Sequence, residues 1–482
     1  MSEGLPALDL GVLLVYLLGV TVWGAWLGRG QTGGRDYFLG NRDLPWWAVM
    51  LSVVATETST LTFLSIPGIS YLGTLAFLQV TFGYLFGRVV VAGVLLPSYH
   101  RGELTTAYEL LERRFGVGTR RLTSVIFMIT RLLADSVRLF ATAIPLALLT
   151  GWSYPVAVAV IGLLTVIYTY FGGIRAVVWV DVAQMLLYLF GAVVAAVVLQ
   201  SVVAGGWSQI FATAGAAGKL QVFDLSLDLG VAYTLPAGLL GGAFLSMGSH
   251  GADQLTVQRL LTCRSLRDSQ RALVGSGVLV IVQFAIFLVV GLGLWAFYQG
   301  RAFDASDEIF ARFIVDELPA GLTGLLVAGV LAAAMSSLSS SINALASASA
   351  YDLWAPLAGA RDDDAGILRA GRVFTLVWSV LLVGGALVFL RIGEGAAAVE
   401  VALGVSSMVY GGLLGAFALA LFSERADARS VAVGIVVGIG FVTWIWATRR
   451  SALAWPWFVL VGTLLATATG WLLGGRRGRP TD

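Results

Sequence analysis

Charge is scarce in this chain. Only 12% of its 482 residues are Asp, Glu, Lys or Arg, whereas 58% are hydrophobic, and the mean hydropathy is +0.87. A soluble globule carries roughly a quarter charged residues, so a water-soluble fold is excluded. Cysteine is almost absent: Cys263 stands alone and rules out an internal disulfide. Two histidines, His100 and His250, are too few for a multi-histidine metal centre. The net charge of +2 gives no ground for a nucleic-acid partner. Long polar stretches are missing too, so no loop can house a separate soluble domain.

What the chain has instead is apolar runs of roughly 20 residues, each able to cross a hydrocarbon layer of about 30 Å. They predict an all-α polytopic membrane protein with about 13 transmembrane helices. The expected spans are 9–28, 44–72, 75–98, 122–150, 154–172, 176–204, 231–250, 272–298, 319–351, 372–391, 398–422, 429–447 and 455–474. The first run leads into "GRGQTGGR" and not into a small-residue cleavage site, so a membrane helix is expected there and not a cleaved leader. With the N-terminus outside, the external segments hold only Lys219, Arg301, Arg312, Arg391, Arg449 and Arg450 of the 30 Lys and Arg. That asymmetry puts the C-terminus in the cytoplasm and the protein in the plasma or inner membrane. Trp46, Trp47, Trp152, Trp455 and Trp457 fall at expected span ends and read as interface anchors.

Two spans are interrupted. Leu44–Tyr71 contains "ATETST" and then Pro67-Gly68; Val231–Gly251 contains Pro236, Gly241-Gly242 and "SMGSHGAD". They lie five spans apart, and paired interruptions of this kind point to an inverted-repeat transporter. The expected organisation is 1–43, an extra helix and loop; 44–204, the first repeat; 205–230, an external loop; 231–422, the second repeat; and 423–482, C-terminal helices with a cytoplasmic tail.

The polar residues inside the apolar segments carry the chemistry. In "LAAAMSSLSSSINALASAS" (331–349), Ser336, Ser339, Ser340, Asn343 and Ser347 share one helical stripe, with Ser337 at its edge. Small hydroxyl residues let membrane helices pack closely. They also offer a cation oxygens in place of its water shell, with carbonyls freed by an unwound helix as the other wall. Asp181 is an ionisable group inside a span and a functional candidate by default; its plain alternative is a partner for Arg175. In "TRLLADSVRLF", Arg131, Asp135 and Arg138 share one face. They either neutralise one another, with Glu57 as a further acid, or offer a guanidinium fork to a carboxylate. His250 reads as a group hydrogen-bonded at a helix break, or as a proton relay. Arg259 is expected at the cytoplasmic end of the seventh span.

"ATETSTLTFLSIPG", "YTYFGGIRAVVWVDVAQ", "GADQLTVQR" and "LAAAMSSLSSSIN" occur in an order that resembles the sodium/solute symporter family, over roughly residues 9 to 450. Relatives in that family carry sugars, proline, vitamins, sialic acid and small carboxylates. The resemblance implies a LeuT-like core of five plus five inverted helices with two broken helices. It implies a first sodium site from the backbone oxygens of Ala55, Thr58 and Ala333 with the hydroxyls of Ser336 and Ser337. It implies a second from Asp181, Ser336, Ser339 and Ser340. Solute contacts carried over by position are Glu57, Ser59, Thr62, Phe77, Gln79, Asp253 and Gln254, with an arginine among Arg131 and Arg138 beside Asp135. Thr58 departs from the aliphatic residue of several relatives, but only its carbonyl is needed.

The expectation is therefore a sodium-coupled secondary active symporter, not an enzyme. It would import a small polar organic solute, with a lean to an organic anion, by alternating access. Its partners would be the solute and the bilayer, with no obligate protein partner. The rivals are a proton-coupled carrier using Glu57, Asp181 or His250, and a sodium/sugar or sodium/amino-acid symporter.

Overall fold

The computed structural model describes residues 5–303, 306–392, 397–448 and 452–475; Arg449, Arg450 and the basic tail residues Arg476, Arg477 and Arg479 lie outside these. The described chain is helical, and its isolated β-bridge joins Leu44 to Cys263. Helices stand where apolar runs predict them, among them Ala7–Leu27, Leu78–Arg101, Val117–Thr150, Leu266–Phe297, Leu322–Ala348, Asp364–Ile392, Ala428–Thr448 and Trp457–Leu473. By length and hydropathy, seven of the described helices suffice to cross a membrane, or eight with one bent pair taken as a single span.

Expected spans five and six form one helical run of 49 residues, Tyr154–Val202. A straight helix of that length would measure about 74 Å, over twice the hydrocarbon thickness. Gly173 breaks it, with φ 54° and ψ −156°, a backbone state that L residues with a side chain avoid. The chain folds back there: a Cβ on Gly24 would meet Tyr168 Cβ at 2.8 Å and Val180 Cγ2 at 3.0 Å. In a straight helix those two residues would lie about 18 Å apart.

The second span is broken as expected, but in one place. Trp46–Glu57 and Thr60–Leu72 meet at 68°. Thr58 (φ −85°, ψ 88°) and Ser59 (φ −79°, ψ 170°) are non-helical. Ser59 restarts the helix as its N-cap, accepting from the Thr62 N–H at 3.4 Å. Pro67-Gly68 does not break the chain further, because the helix continues through Pro67 to Leu72.

The seventh span differs more. Pro236 precedes the helix, and Gly241-Gly242 lies within it. Two π-helical turns, Ala237–Gly241 and Gly248–Ala252, flank Gly242–Met247. The break is at Asp253 (φ −97°, ψ 123°), and a further helix, Gln254–Leu260, follows it. This helix is buried throughout. Its sequence, "QLTVQRL", is too polar to read as part of a span, and Arg259, expected at the end of the seventh span, stands in its last turn and is buried. Gly83 and Gly87 let the third span press on this segment: a Cβ on Gly83 would sit 2.1 Å from Gly238 O, and one on Gly87 2.3 Å from Ala243 O.

Leu322–Ala348, the serine helix, is the centre of the bundle. Its apolar window is 94% buried, against 28% for Ala7–Leu27 and 22% for Asp364–Phe389. The first helix is nonetheless pinned to it. Asp9 is buried and accepts from the Gly321 N–H at 2.7 Å and the Gly324 N–H at 2.6 Å, capping the serine helix. Trp46 and Trp47 are exposed at a helix start as interface anchors should be, but Trp457 is buried against Ala237 and Ala454.

Candidate functional site

The break in the second span releases backbone oxygens. In an unbroken helix the Ser59 N–H would bond Ala55 O and the Thr62 N–H would bond Thr58 O. Here the Ser59 N–H goes to Glu57 O at 3.2 Å, and the Thr62 N–H to the Ser59 Oγ. The Thr58 hydroxyl is engaged elsewhere, donating to Val54 O at 2.9 Å and accepting from Gln283 Nε2 at 2.6 Å. The Thr58 carbonyl is what remains on offer.

The serine helix lies against this break. Thr60 Oγ1 donates to Val330 O at 2.9 Å, and Thr56 Oγ1 meets Ser340 Oγ at 3.1 Å. Ser337 Oγ is buried and makes no hydrogen bond among the described residues, which is unusual for a buried hydroxyl. Ala333 lies one turn before it, with a carbonyl that keeps a second lone pair inside the helix. These oxygens fit a sodium ion: the set is neutral, buried and partly without partners. Ser336, expected in the same set, donates its proton to Asp181 Oδ1 at 2.6 Å and keeps its lone pairs.

The second expected set is arranged differently. Asp181 is completely buried and accepts from Ser52 Oγ at 2.6 Å as well as from Ser336. Its ion-pair partner is Arg259 Nη2 at 3.4 Å. Arg175 instead faces Asp36 at 4.0 Å. Arg259 also donates to Ser340 Oγ, to Ser52 Oγ at 3.0 Å and to Leu255 O at 2.7 Å. Ser339 and Ser340 donate to Ser336 O at 3.0 and 2.6 Å. Ser52 and Arg259 were not anticipated here. Ser52 carries no sequence signal, and Arg259 was hidden by its polar surroundings.

A small cavity joins the broken helix to the arginine-bearing helix Val117–Thr150. Ser59, Asp135, Arg138, Thr142, Ala334 and Ser337 line it, together with Leu139 and Leu338. Arg138 Nη1 is 3.4 Å from Asp135 Oδ1. Asp135 is shared, because its Oδ2 accepts from Ser341 Oγ at 2.6 Å and Arg131 stands 3.7 Å from Oδ1. Arg131 does not line the cavity. Its Nη2 is taken by Asp253 and by the Tyr410 hydroxyl, a partner sequence reasoning missed.

The other carried-over solute contacts are dispersed. Phe77 stacks on Phe284, with ring centroids 5.3 Å apart, and meets Tyr233 at 5.3 Å. Gln79 is buried and holds the external segment, donating to Tyr233 O at 3.0 Å and accepting from the Asp224 N–H at 3.1 Å. Gln254 accepts from the Ala107 N–H at 2.8 Å and donates to Ser347 Oγ at 3.5 Å. Asp253 caps its own helix through the Leu255 N–H at 2.9 Å while holding Arg131. Thr62 stays beside Ser59, hydroxyl to hydroxyl at 3.4 Å. Glu57 pairs with Arg88, not with Arg138, and His250 Nε2 stands 3.8 Å from the same carboxylate.

Comparison with known proteins gives one consistent picture. The profile of the Sodium:solute symporter family matches residues 37–438. The Sodium/sialic acid symporter SiaT of Proteus mirabilis is 29% identical over 468 residues, 96% of this chain and 94% of the relative. Human Sodium-coupled monocarboxylate transporter 1 is 30% identical over 444 residues, 90% of this chain and 72% of the relative. A solved structure of a Na+-coupled sialic acid symporter, substrate-bound and outward-open, superimposes with a TM-score of 0.87 at 29% identity, covering 97% of each chain.

Proposed function

The chain belongs to the sodium:solute symporter family, and on that premise we propose that it imports a small carboxylate-bearing solute together with sodium, by alternating access. It is a multi-pass membrane transporter and not an enzyme. Sodium is the coupling ion. The finer reading takes residues 44–204 and 231–422 as the two repeats, with the N-terminus outside and the C-terminus in the cytoplasm.

One observation carries the substrate class. Arg138 opens into the same cavity as Ser59 and as Ser337, whose hydroxyl has no partner among the described residues. Asp135 is the only acid within ion-pair distance of Arg138 among the described residues, and it is shared with Arg131. The fork of Arg138 therefore keeps donors for a carboxylate, whereas Arg131 is committed to Asp253 and Tyr410. A sodium ion at Ser337 and an anion at Arg138 would share one wall. Each would favour the arrangement that binds the other, which is the condition for coupled transport. Of the three proton carriers of the rival reading, Glu57 and Asp181 each face an arginine in an ion pair, and His250 stands beside Glu57.

The test is thermal unfolding of the purified protein in sodium chloride and in choline chloride, each with a panel of carboxylates, sugars and amino acids. A ligand that binds only the folded state raises the unfolding temperature. A sodium-specific rise that carboxylates enlarge is expected. A rise with sugars alone would overturn the substrate class, and a shift that follows pH but ignores sodium would overturn the coupling ion.

A further inference from the structure

Two of the four residues expected to hold a second sodium ion, Asp181 and Ser340, already hold a cation. The Arg259 guanidinium pairs with Asp181 at 3.4 Å and donates to Ser340 Oγ and Ser52 Oγ, and all four of these side chains are fully buried. We infer that Arg259 is a tethered counter-cation that competes with a second sodium for Asp181 and Ser340, so that the wild-type chain binds one sodium tightly and not two. This rests on the sodium-coupled reading above.

The reason is charge. Arginine stays protonated in proteins, and Asp181 is the one carboxylate within ion-pair distance of Arg259 among the described residues. The pair is neutral as it stands. Adding sodium would place two positive charges on one carboxylate, out of reach of water. An uncompensated charge in such surroundings is strongly unfavourable. The hydroxyls do not change this balance: Ser336, which donates to Asp181, and Ser339 and Ser340, which donate to Ser336 O, keep lone pairs but carry no negative charge to offset a second cation.

The same geometry gives the guanidinium a mechanical role. Arg259 sits on Gln254–Leu260, beyond the break at Asp253, and reaches Asp181 on the Tyr154–Val202 run, Ser340 on the serine helix and Ser52 on the broken helix. It makes the cross-ties that a second ion would make. Its neighbours extend the seam, since Gln258 Nε2 donates to Asn343 Oδ1 at 2.8 Å and Gln254 reaches Ser347. The inner half of the serine stripe thus binds a helix. The outer half, at Ser337, is left for the ion.

The deciding experiment counts bound radioactive sodium per purified protein at saturation, with no transport required. The wild type is expected to bind one, and Arg259→Lys, which keeps the cation, also one. Arg259→Gln should bind two, and adding Asp181→Asn should return it to one. Two tight ions in the wild type would overturn the inference and leave sodium coupling intact; none would overturn sodium coupling itself. A folded, monodisperse Arg259→Gln protein that still binds one ion would also overturn the inference. If that variant does not fold, the wild-type count decides alone.

Discussion

Ser337 and Ser340 are one turn apart on the same helix, both buried, yet their surroundings are opposite. Around Ser337 the chain supplies neutral oxygens and withholds partners: a lone hydroxyl and two carbonyls released at Thr58–Ser59. Around Ser340 it supplies a full ion pair, with Arg259 and Asp181 already joined. Counting oxygens does not distinguish the two sites. What distinguishes them is that Arg259 is bonded to the Ser340 hydroxyl itself, whereas Arg138, which lines the same cavity as Ser337, makes no hydrogen bond to the Ser337 hydroxyl.

The largest effect should come from breaking the filled site on one side. Asp181→Ala leaves the Arg259 charge buried without its partner, and losses of about 3–5 kcal/mol follow such changes. The unfolding temperature should fall sharply. The double variant Asp181→Ala/Arg259→Met should regain most of the loss, because it removes both charges. Equal instability of single and double variants would show that the two charges are not coupled.

The open site should respond in ligand binding and not in stability. Ser337→Ala removes a hydroxyl that bonds nothing among the described residues, so folding should be nearly unchanged. Sodium affinity, read from the sodium dependence of the unfolding temperature, should fall about tenfold, equivalent to about 1.4 kcal/mol. Arg138→Lys keeps the charge and loses the fork. It should lower carboxylate affinity by a similar factor while leaving sodium binding without solute as it was. Loss of sodium binding in both variants would mean that the two ligands do not occupy separable places on the shared wall.

The smallest effect is expected far from the comparison, on a short helix outside the long apolar ones. Glu112, on the short helix Glu109–Phe115, accepts from Arg120 Nη1 at 2.5 Å and from Arg361 Nη2 at 2.7 Å. Partial burial pushes its carboxyl up, but the hydrogen bonds and charges of Arg120 and Arg361 outweigh this and hold it below the usual range. A lowered folded-state value means that the stabilisation is complete above the ordinary carboxylate range and is lost as pH falls through the lowered one. Solvent screening limits it to less than about 1 kcal/mol. Glu112→Gln should remove that part of the acid dependence of unfolding. An unchanged acid limb would assign it to other groups.

Much of this fold was readable beforehand. Apolar runs mark helices because the bilayer demands about 20 apolar residues per crossing, and "ATETST" marks the break because few residues there favour burial as continuous helix. The extent of the seventh span was not readable. Its second part, Gln254–Leu260, is polar because it packs against the serine stripe, and a hydropathy window cannot tell a polar seam from a loop. Pro67 misled in the other direction, since a proline inside a packed helix bends it without ending it.

The sequence by itself determined the solvent of this protein, the place of the broken helix and the face that carries the hydroxyls. Each follows from local composition or from the 100° step of a helix. Only the tertiary structure decided which oxygens are free, that Arg138 and not Arg131 lines the cavity, and that Gln79, Asp253 and Gln254 are engaged by the protein. It also decided that Arg259 meets Asp181, 78 residues away in the chain. Those outcomes depend on partners brought together by packing, and no spacing along a single helix encodes them.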